Sequence, residues 1–79
     1  MTKYYFLEQM NTLLEVDIKS LDKDFFLENL VLWDSLTRVS SIALIDECFG
    51  ASISGFEIEL CKTVGDFIKL IEKKSGVIL

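Results

Sequence analysis

A long amphipathic segment begins at Ser35 and ends before Gly50, and the rest of the chain has to fold around it. Asp34 and Ser35 are both good N-cap residues, and Gly50 is a good residue just beyond a helix C-terminus. We therefore predict a helix over residues 35–49. The apolar residues that recur at helical spacing, and that we expect to face a core, are Leu36, Val39, Ile42, Ala43, Ile45 and Phe49. The residues expected mainly on its other side are Arg38, Ser40, Ser41, Asp46 and Glu47.

Three further segments show helical patterns. An apolar stripe predicts a helix over residues 3–15, with Thr2 as its N-cap. A short helix is predicted over residues 56–60, where the alternation of apolar residues would also suit a strand but no second strand is expected to pair with it. A last helix is predicted over residues 64–74, because Thr63 and Asp66 have the spacing of a capping box and Gly76 can end it.

The connection between the first two long helices, residues 16–33, is too long to be a bare loop in a compact domain. It mixes acidic and basic residues with apolar ones, so we expect it to lie across the helices and close one side of the core, with a helical turn near residues 24–29. The predicted fold is all-α. A single domain over residues 1–79 forms a small helical bundle of three main helices and one short helix.

Composition excludes several classes of function. The net charge of −5 argues against nucleic acid, because binding to phosphates requires clustered lysines and arginines. No stretch approaches the roughly 18 consecutive apolar residues of a membrane span. The N-terminal residues do not have the pattern of a signal peptide, so a cytoplasmic protein without membrane insertion is expected.

The chain has two cysteines and no histidine. A structural zinc site needs four soft ligands, so no metal site is expected, and Cys48 and Cys61 are interpreted as small apolar residues. Without histidine, a Ser-His-Asp arrangement cannot activate Ser35. If Ser35 carries chemistry, another protein therefore acts on it, and the chain is not itself an enzyme.

Three segments together resemble the acyl carrier proteins, and the resemblance covers essentially the whole chain. They are Trp33-Asp34-Ser35-Leu36, then Phe49-Gly50 with Ile53-Ser54, then Thr63-Val64-Gly65-Asp66-Phe67. A D-S-L tripeptide alone is a weak motif. It becomes specific at the start of an amphipathic helix that ends in Phe-Gly, about a dozen residues before T-V-G-D-F.

The resemblance implies that Ser35 carries 4'-phosphopantetheine, which a phosphopantetheinyl transferase attaches from coenzyme A. The thiol of this arm would hold an acyl group as a thioester, supplied by a loading ligase and used by a downstream transferase or synthase. Asp34 matches the acid before the modified serine, and Leu36 matches an apolar residue that contacts partner enzymes, although core packing is an equal alternative for it. A phosphodiester on Ser35 is expected to be received by unpaired N–H groups at the helix N-terminus.

The chain also departs from the carriers of fatty-acid synthesis, whose second helix is acidic. Here Arg38 lies on that surface, and the acids Asp46 and Glu47 remain only toward its far end. With Leu36, these are the residues expected to contact partners. Trp33 resembles the W-D-S-L carriers of specialised pathways, so a housekeeping role is not expected. Two alternatives stay open: an aminoacyl or peptidyl carrier, and an unmodified helical interaction module in which Ser35 is merely a helix cap.

Overall fold

The computed structural model describes residues 3–79 and confirms the predicted all-α fold. Its helices are α1 (Lys3–Leu14), α2 (Ser35–Phe49), the short α3 (Gly55–Glu59) and α4 (Val64–Ser75). Each predicted bound lies within one residue of the observed one, and both bounds of α2 agree. The predicted N-cap of α1, Thr2, lies outside the described residues.

All four helices and the connection between α1 and α2 contribute side chains to one core. Two aromatic contacts lie within it: the ring centroids of Phe6 and Phe49 are 5.0 Å apart, and those of Trp33 and Phe67 are 5.2 Å apart in an edge-on arrangement. The buried hydrophobic residues are Phe6, Met10, Leu14, Ile18, Leu27, Leu30, Ile45, Cys48, Ala51, Ile53, Ile58, Val64, Phe67 and Ile71.

The buried face of α2 differs from the predicted stripe. Three residues of the predicted stripe, Leu36, Val39 and Ala43, are exposed, with 64% exposure at Val39. Ser41, predicted on the other side, is fully buried, so the prediction was wrong for these four residues. Burial of Ser41 is possible because its hydroxyl donates a 2.7 Å hydrogen bond to the carbonyl oxygen of Thr37, which leaves no unpaired polar group. The residues of α2 that the structure buries are Thr37, Ser41, Ile45 and Cys48.

The connection between α1 and α2 closes one side of the core, as predicted. Short 3₁₀ turns form at Ile18–Ser20 and Leu27–Asn29. The connection is joined to the start of α4 by two backbone hydrogen bonds of 2.9 Å, from the N–H of Leu27 to the oxygen of Lys62 and from the N–H of Val64 to the oxygen of Phe25. The antiparallel arrangement of these bonds fixes the segment against the bundle.

Local sequence signals determine where the helices begin and where they end. The predicted capping box of α4 is present between Thr63 and Asp66, and α2 ends at Gly50, whose φ of 66° suits a residue without a Cβ. The third helix begins one residue earlier than predicted, because Ser54 and Glu57 form a further capping box.

Among the described residues, no helix is long and apolar enough to cross a membrane. Cys48 is buried in α2, whereas Cys61 follows the end of α3 and is half-buried. In the part of the chain that the structure describes, neither cysteine forms a disulfide.

Candidate functional site

The first turn of α2 is held by reciprocal hydrogen bonds between Asp34 and Thr37. Asp34 Oδ1 accepts from the backbone N–H of Thr37 at 2.9 Å, and Thr37 Oγ1 accepts from the backbone N–H of Asp34 at 2.9 Å. The Thr37 hydroxyl also donates to the carbonyl oxygen of Leu32 at 2.6 Å. These bonds join the helix start to the preceding loop, so the backbone on both sides of Ser35 is fixed.

Ser35 is the first residue of α2, and its side chain is exposed. Asp34 occupies the N-cap position, so the interpretation of Ser35 as the helix cap is wrong. Among residues 3–79, no group forms a hydrogen bond with the Ser35 hydroxyl. The hydroxyl is therefore available to a reagent that approaches from solvent.

The Asp34 carboxylate accepts from the backbone N–H of Thr37 in the first turn of α2. The hydrogen bond from the Thr37 backbone N–H is the main cause that lowers the pKa of Asp34 below its ordinary value. Desolvation opposes this effect, whereas the Thr37 hydroxyl, the Leu36 N–H and the charge of Arg38 lower the pKa further. The Thr37 N–H is already bound by Asp34, and the expectation that unpaired N–H groups of this turn would receive a phosphodiester on Ser35 stays a prediction.

Leu36 lies on the surface rather than in the core, with 73% of its side chain exposed. Val39, three residues later, lies on the same side of α2. Together they form an apolar strip directly beside Ser35. Neither side chain is covered by the rest of the described chain, so the strip is available to a partner.

The charged residues expected to contact partners separate into two groups. Arg38 is half-buried and lies one turn after Ser35, and its charge acts on Asp34. Asp46 and Glu47 are exposed near the other end of α2, roughly 16 Å from Ser35 along the helix axis at 1.5 Å per residue. The structure thus brings Asp34, Ser35, Leu36 and Arg38 together, and it places the two acids elsewhere.

A cavity of about 330 Å³ opens beside the first turn of α2, between the connection and the residues around the end of α3. Trp33 and Arg38, on either side of Ser35 in the sequence, both contribute to its wall. The full lining is Phe26, Leu27, Glu28, Trp33, Arg38, Glu59, Cys61 and Lys62. It combines an apolar wall with four charged side chains.

The sequence pattern does not predict most of this lining. The residues come from three separate segments, which meet because the connection pairs with the chain before α4. No periodicity within one segment signals such a meeting. Thr37 is different, because the D-x-x-T spacing from Asp34 resembles a capping box and would have indicated its role.

Comparison with known proteins assigns no family to this arrangement: no protein-family model matches the sequence, and no solved structure matches the fold. The function of the site has to be inferred from its residues and their geometry.

Proposed function

We propose that this chain is an acyl carrier protein, which presents an acyl group as a thioester on a 4'-phosphopantetheine arm attached to Ser35. It is a substrate and a carrier rather than an enzyme. In this proposal it works in the cytoplasm, in a specialised pathway rather than in housekeeping fatty-acid synthesis. Its partners are a phosphopantetheinyl transferase, a loading ligase for an acyl or aminoacyl group, and a downstream transferase or synthase.

The observation that supports the proposal best is the position of Ser35. The serine is exposed at the first position of α2, yet a neighbouring residue provides the cap. Its hydroxyl therefore forms no hydrogen bond within the described part of the chain. The backbone around it is held by the hydrogen bonds between Asp34 and Thr37. A rigidly presented and chemically unoccupied hydroxyl suits a residue that another enzyme modifies.

The attachment needs chemistry that this chain does not contain. The oxygen of Ser35 forms a bond to the β-phosphorus of coenzyme A, the bond from that phosphorus to the bridging oxygen breaks, and adenosine 3',5'-bisphosphate leaves. A base must take the serine proton, and the chain has no histidine for this role. The transferase supplies the base, so the contribution of this chain is to present the serine.

The surface around Ser35 supports a contact with partner proteins. Leu36 and Val39 present apolar area beside the attachment point, and α2 lacks acidic residues until Asp46. Burial of apolar area drives most protein association, whereas exposed charge pairs add little. Partners that recognise a mainly apolar first half of α2 therefore fit this chain better than enzymes with a strongly basic docking patch.

The proposal is tested by the intact mass of the protein after incubation with coenzyme A and a broad-specificity phosphopantetheinyl transferase. We expect one addition of the mass of phosphopantetheine. Ser35→Ala should abolish the addition, whereas Ser52→Ala, at an exposed serine of the loop between α2 and α3, should not. No addition to the natural chain, or an addition that persists in Ser35→Ala, would overturn the proposal.

A further inference from the structure

We propose that Thr37 is a positioning residue for the modification of Ser35. Its buried hydroxyl holds the loop before α2 against the first turn of the helix, and so fixes where the serine oxygen lies. The inference rests on the proposed function, because it concerns the reaction that a transferase carries out at Ser35. It assigns a role in that reaction to a side chain that the transferase does not touch.

The loop and the helix meet at the Thr37 hydroxyl. Its oxygen accepts from the backbone N–H of Asp34 at 2.9 Å. It has one hydrogen to donate, and its contact with the carbonyl oxygen of Leu32, at 2.6 Å, is shorter than its contact with the carbonyl oxygen of Asp34, at 3.1 Å. One side chain thus binds both the residue directly before Ser35 and the residue three positions before it.

Burial prevents Thr37 from acting through direct contact with a partner. Thr37 is only 8% exposed, whereas its neighbour Leu36 is 73% exposed. A transferase that approaches this turn from solvent therefore meets Leu36 and Ser35, but not the Thr37 hydroxyl. Thr37 can influence the reaction only through the backbone that it holds.

The loop before Ser35 is anchored on its other side by Trp33. The ring of Trp33 packs edge-on against Phe67 of α4, with 5.2 Å between the ring centroids. This contact holds the loop to the core but does not join it to α2. The side-chain links to α2 come instead from the reciprocal bonds of Asp34 and Thr37. The position of the loop relative to the helix start therefore depends on these bonds.

Loss of the Thr37 hydroxyl should affect the chemical step more than binding. The Leu32 carbonyl oxygen and the Asp34 N–H would lose their partner, so the loop could move relative to the helix that begins at Ser35. A misplacement of about 1 Å can slow a reaction roughly 100-fold. The exposed surface that a transferase binds would stay the same, so the loss should appear in kcat rather than in KM.

The experiment measures kcat and KM of a broad-specificity phosphopantetheinyl transferase with the full chain and its variants as protein substrates. Thr37→Val keeps the shape of the side chain and removes the hydroxyl, so kcat should fall about tenfold or more with KM nearly unchanged. Thr37→Ser keeps the hydroxyl and removes the methyl group, so it should retain the natural kcat. Rescue by serine separates the hydrogen bonds from the packing of the side chain.

Ser41→Ala is the matched control. The Ser41 hydroxyl is also buried in α2, but its 2.7 Å hydrogen bond goes to the carbonyl oxygen of Thr37 within the helix and does not reach the loop. Ser41→Ala should therefore retain the natural kcat, whatever its effect on stability. Urea unfolding of each variant establishes conditions in which all of them are folded, and the rates are compared there.

Amide hydrogen exchange in the natural chain tests the same bonds without a substitution. The N–H of Asp34 is bound by Thr37 Oγ1, whereas the adjacent N–H of Ser35 has no hydrogen-bond partner among residues 3–79. The Asp34 amide should therefore exchange with solvent more slowly than the Ser35 amide. Equal exchange rates for the two amides would overturn the positioning role of Thr37.

The kinetic outcomes distinguish this inference from the proposed function. Modification of Thr37→Val with the natural kcat overturns the positioning role and leaves the carrier function standing. An equal fall of kcat in Thr37→Val, Thr37→Ser and Ser41→Ala also overturns it, because the bonds to the loop would not be the cause. Absence of any modification of the natural chain overturns both proposals together.

Discussion

The backbone N–H of Gly65 donates a 2.9 Å hydrogen bond to the carbonyl oxygen of Lys23, and this bond joins the long connection to the first turn of α4. The contact leaves little room for a side chain at position 65. A Cβ at position 65 would lie 3.0 Å from the oxygen of Lys23 and 3.1 Å from its Cβ. The neighbouring bond from the N–H of Val64 to the oxygen of Phe25 prevents the connection from moving away.

Gly65→Ala is therefore expected to destabilise the protein. Overpacking costs about 1–3 kcal/mol, which equals or exceeds the ~1 kcal/mol that alanine gains over glycine within a helix. Gly55→Ala is the matched control, since a Cβ there meets no atom within 4 Å at the start of α3. Urea unfolding should show a lower free energy of unfolding for Gly65→Ala and an equal or higher one for Gly55→Ala. Equal values for the two variants would contradict the close approach at Gly65.

The three carboxylates with a lowered pKa predict how stability depends on pH. The pKa of Asp34 is lowered by the Thr37 N–H, that of Asp66 by the Lys62 and Thr63 N–H groups, and that of Glu57 by its bond to Lys74. A carboxylate with a lower pKa in the folded state adds stability above its unfolded pKa, and this stability is lost as the pH falls through the folded pKa. The free energy of unfolding should therefore decrease steadily from about pH 5 downward.

Asp66→Asn tests the origin of this dependence. Asparagine can still accept at the start of α4 but carries no charge, so the decrease between about pH 5 and pH 2 should become shallower. Asp46→Asn, at an exposed position in α2 where the side chain caps no helix, should retain the natural slope. Urea unfolding at a series of pH values measures both. An unchanged slope in Asp66→Asn would show that its cap does not contribute.

Two substitutions in α2 test which of its faces is buried. Ile45 is fully buried, so Ile45→Ala should lower the free energy of unfolding by about 2–5 kcal/mol. Val39 is mostly exposed, so Val39→Ala should change it by no more than about 0.5 kcal/mol. Thermal or urea unfolding distinguishes the two. A large loss for Val39→Ala would support the stripe expected from the sequence over the observed one.

The fold was predictable where a signal is local, and uncertain where it is not. The capping box of Thr63 and Asp66 and the glycine after α2 are local signals, and the bounds of their helices followed from them. The buried face of α2 depends on tertiary packing instead. Thr37 and Ser41 are polar but buried, because their hydroxyls bond to nearby carbonyls, and apolar periodicity cannot show this.

The candidate site was predictable to a similar degree. Asp34, Ser35 and Leu36 are consecutive, so the sequence motif already indicated them, and the structure adds which of them caps the helix. The cavity wall from Phe26 and Glu59 was not predictable, because it depends on the pairing between Phe26 and Thr63, two residues far apart in the chain. A hydrogen bond between backbone atoms does not depend on which side chains the two residues carry, so the residue pattern does not predict this pairing.

The exposed strip beside Ser35 gives a last prediction, on the rate at which a broad-specificity transferase modifies the chain. Leu36→Ala should leave the free energy of unfolding nearly unchanged, because the Leu36 side chain is 73% exposed. It should slow the modification about tenfold, which is equivalent to ~1.4 kcal/mol of lost apolar contact with the transferase. The double variant Asp46→Asn with Glu47→Gln should retain the natural rate, because these acids lie at the far end of α2. The initial rate of the mass gain at fixed coenzyme A measures both effects.

The same experiment at different salt concentrations distinguishes docking through apolar contacts from docking through charged residues. Exposed charge pairs are screened when the ionic strength rises from about 0.1 M to 1 M, whereas apolar contacts are not weakened. If the transferase docks mainly on Leu36 and its neighbours, the rates of the natural chain and of Leu36→Ala should keep their ratio across this range. A modification that depends on Asp46 and Glu47 and collapses at high salt would show that the acidic end of α2, rather than the apolar strip at Ser35, forms the docking surface.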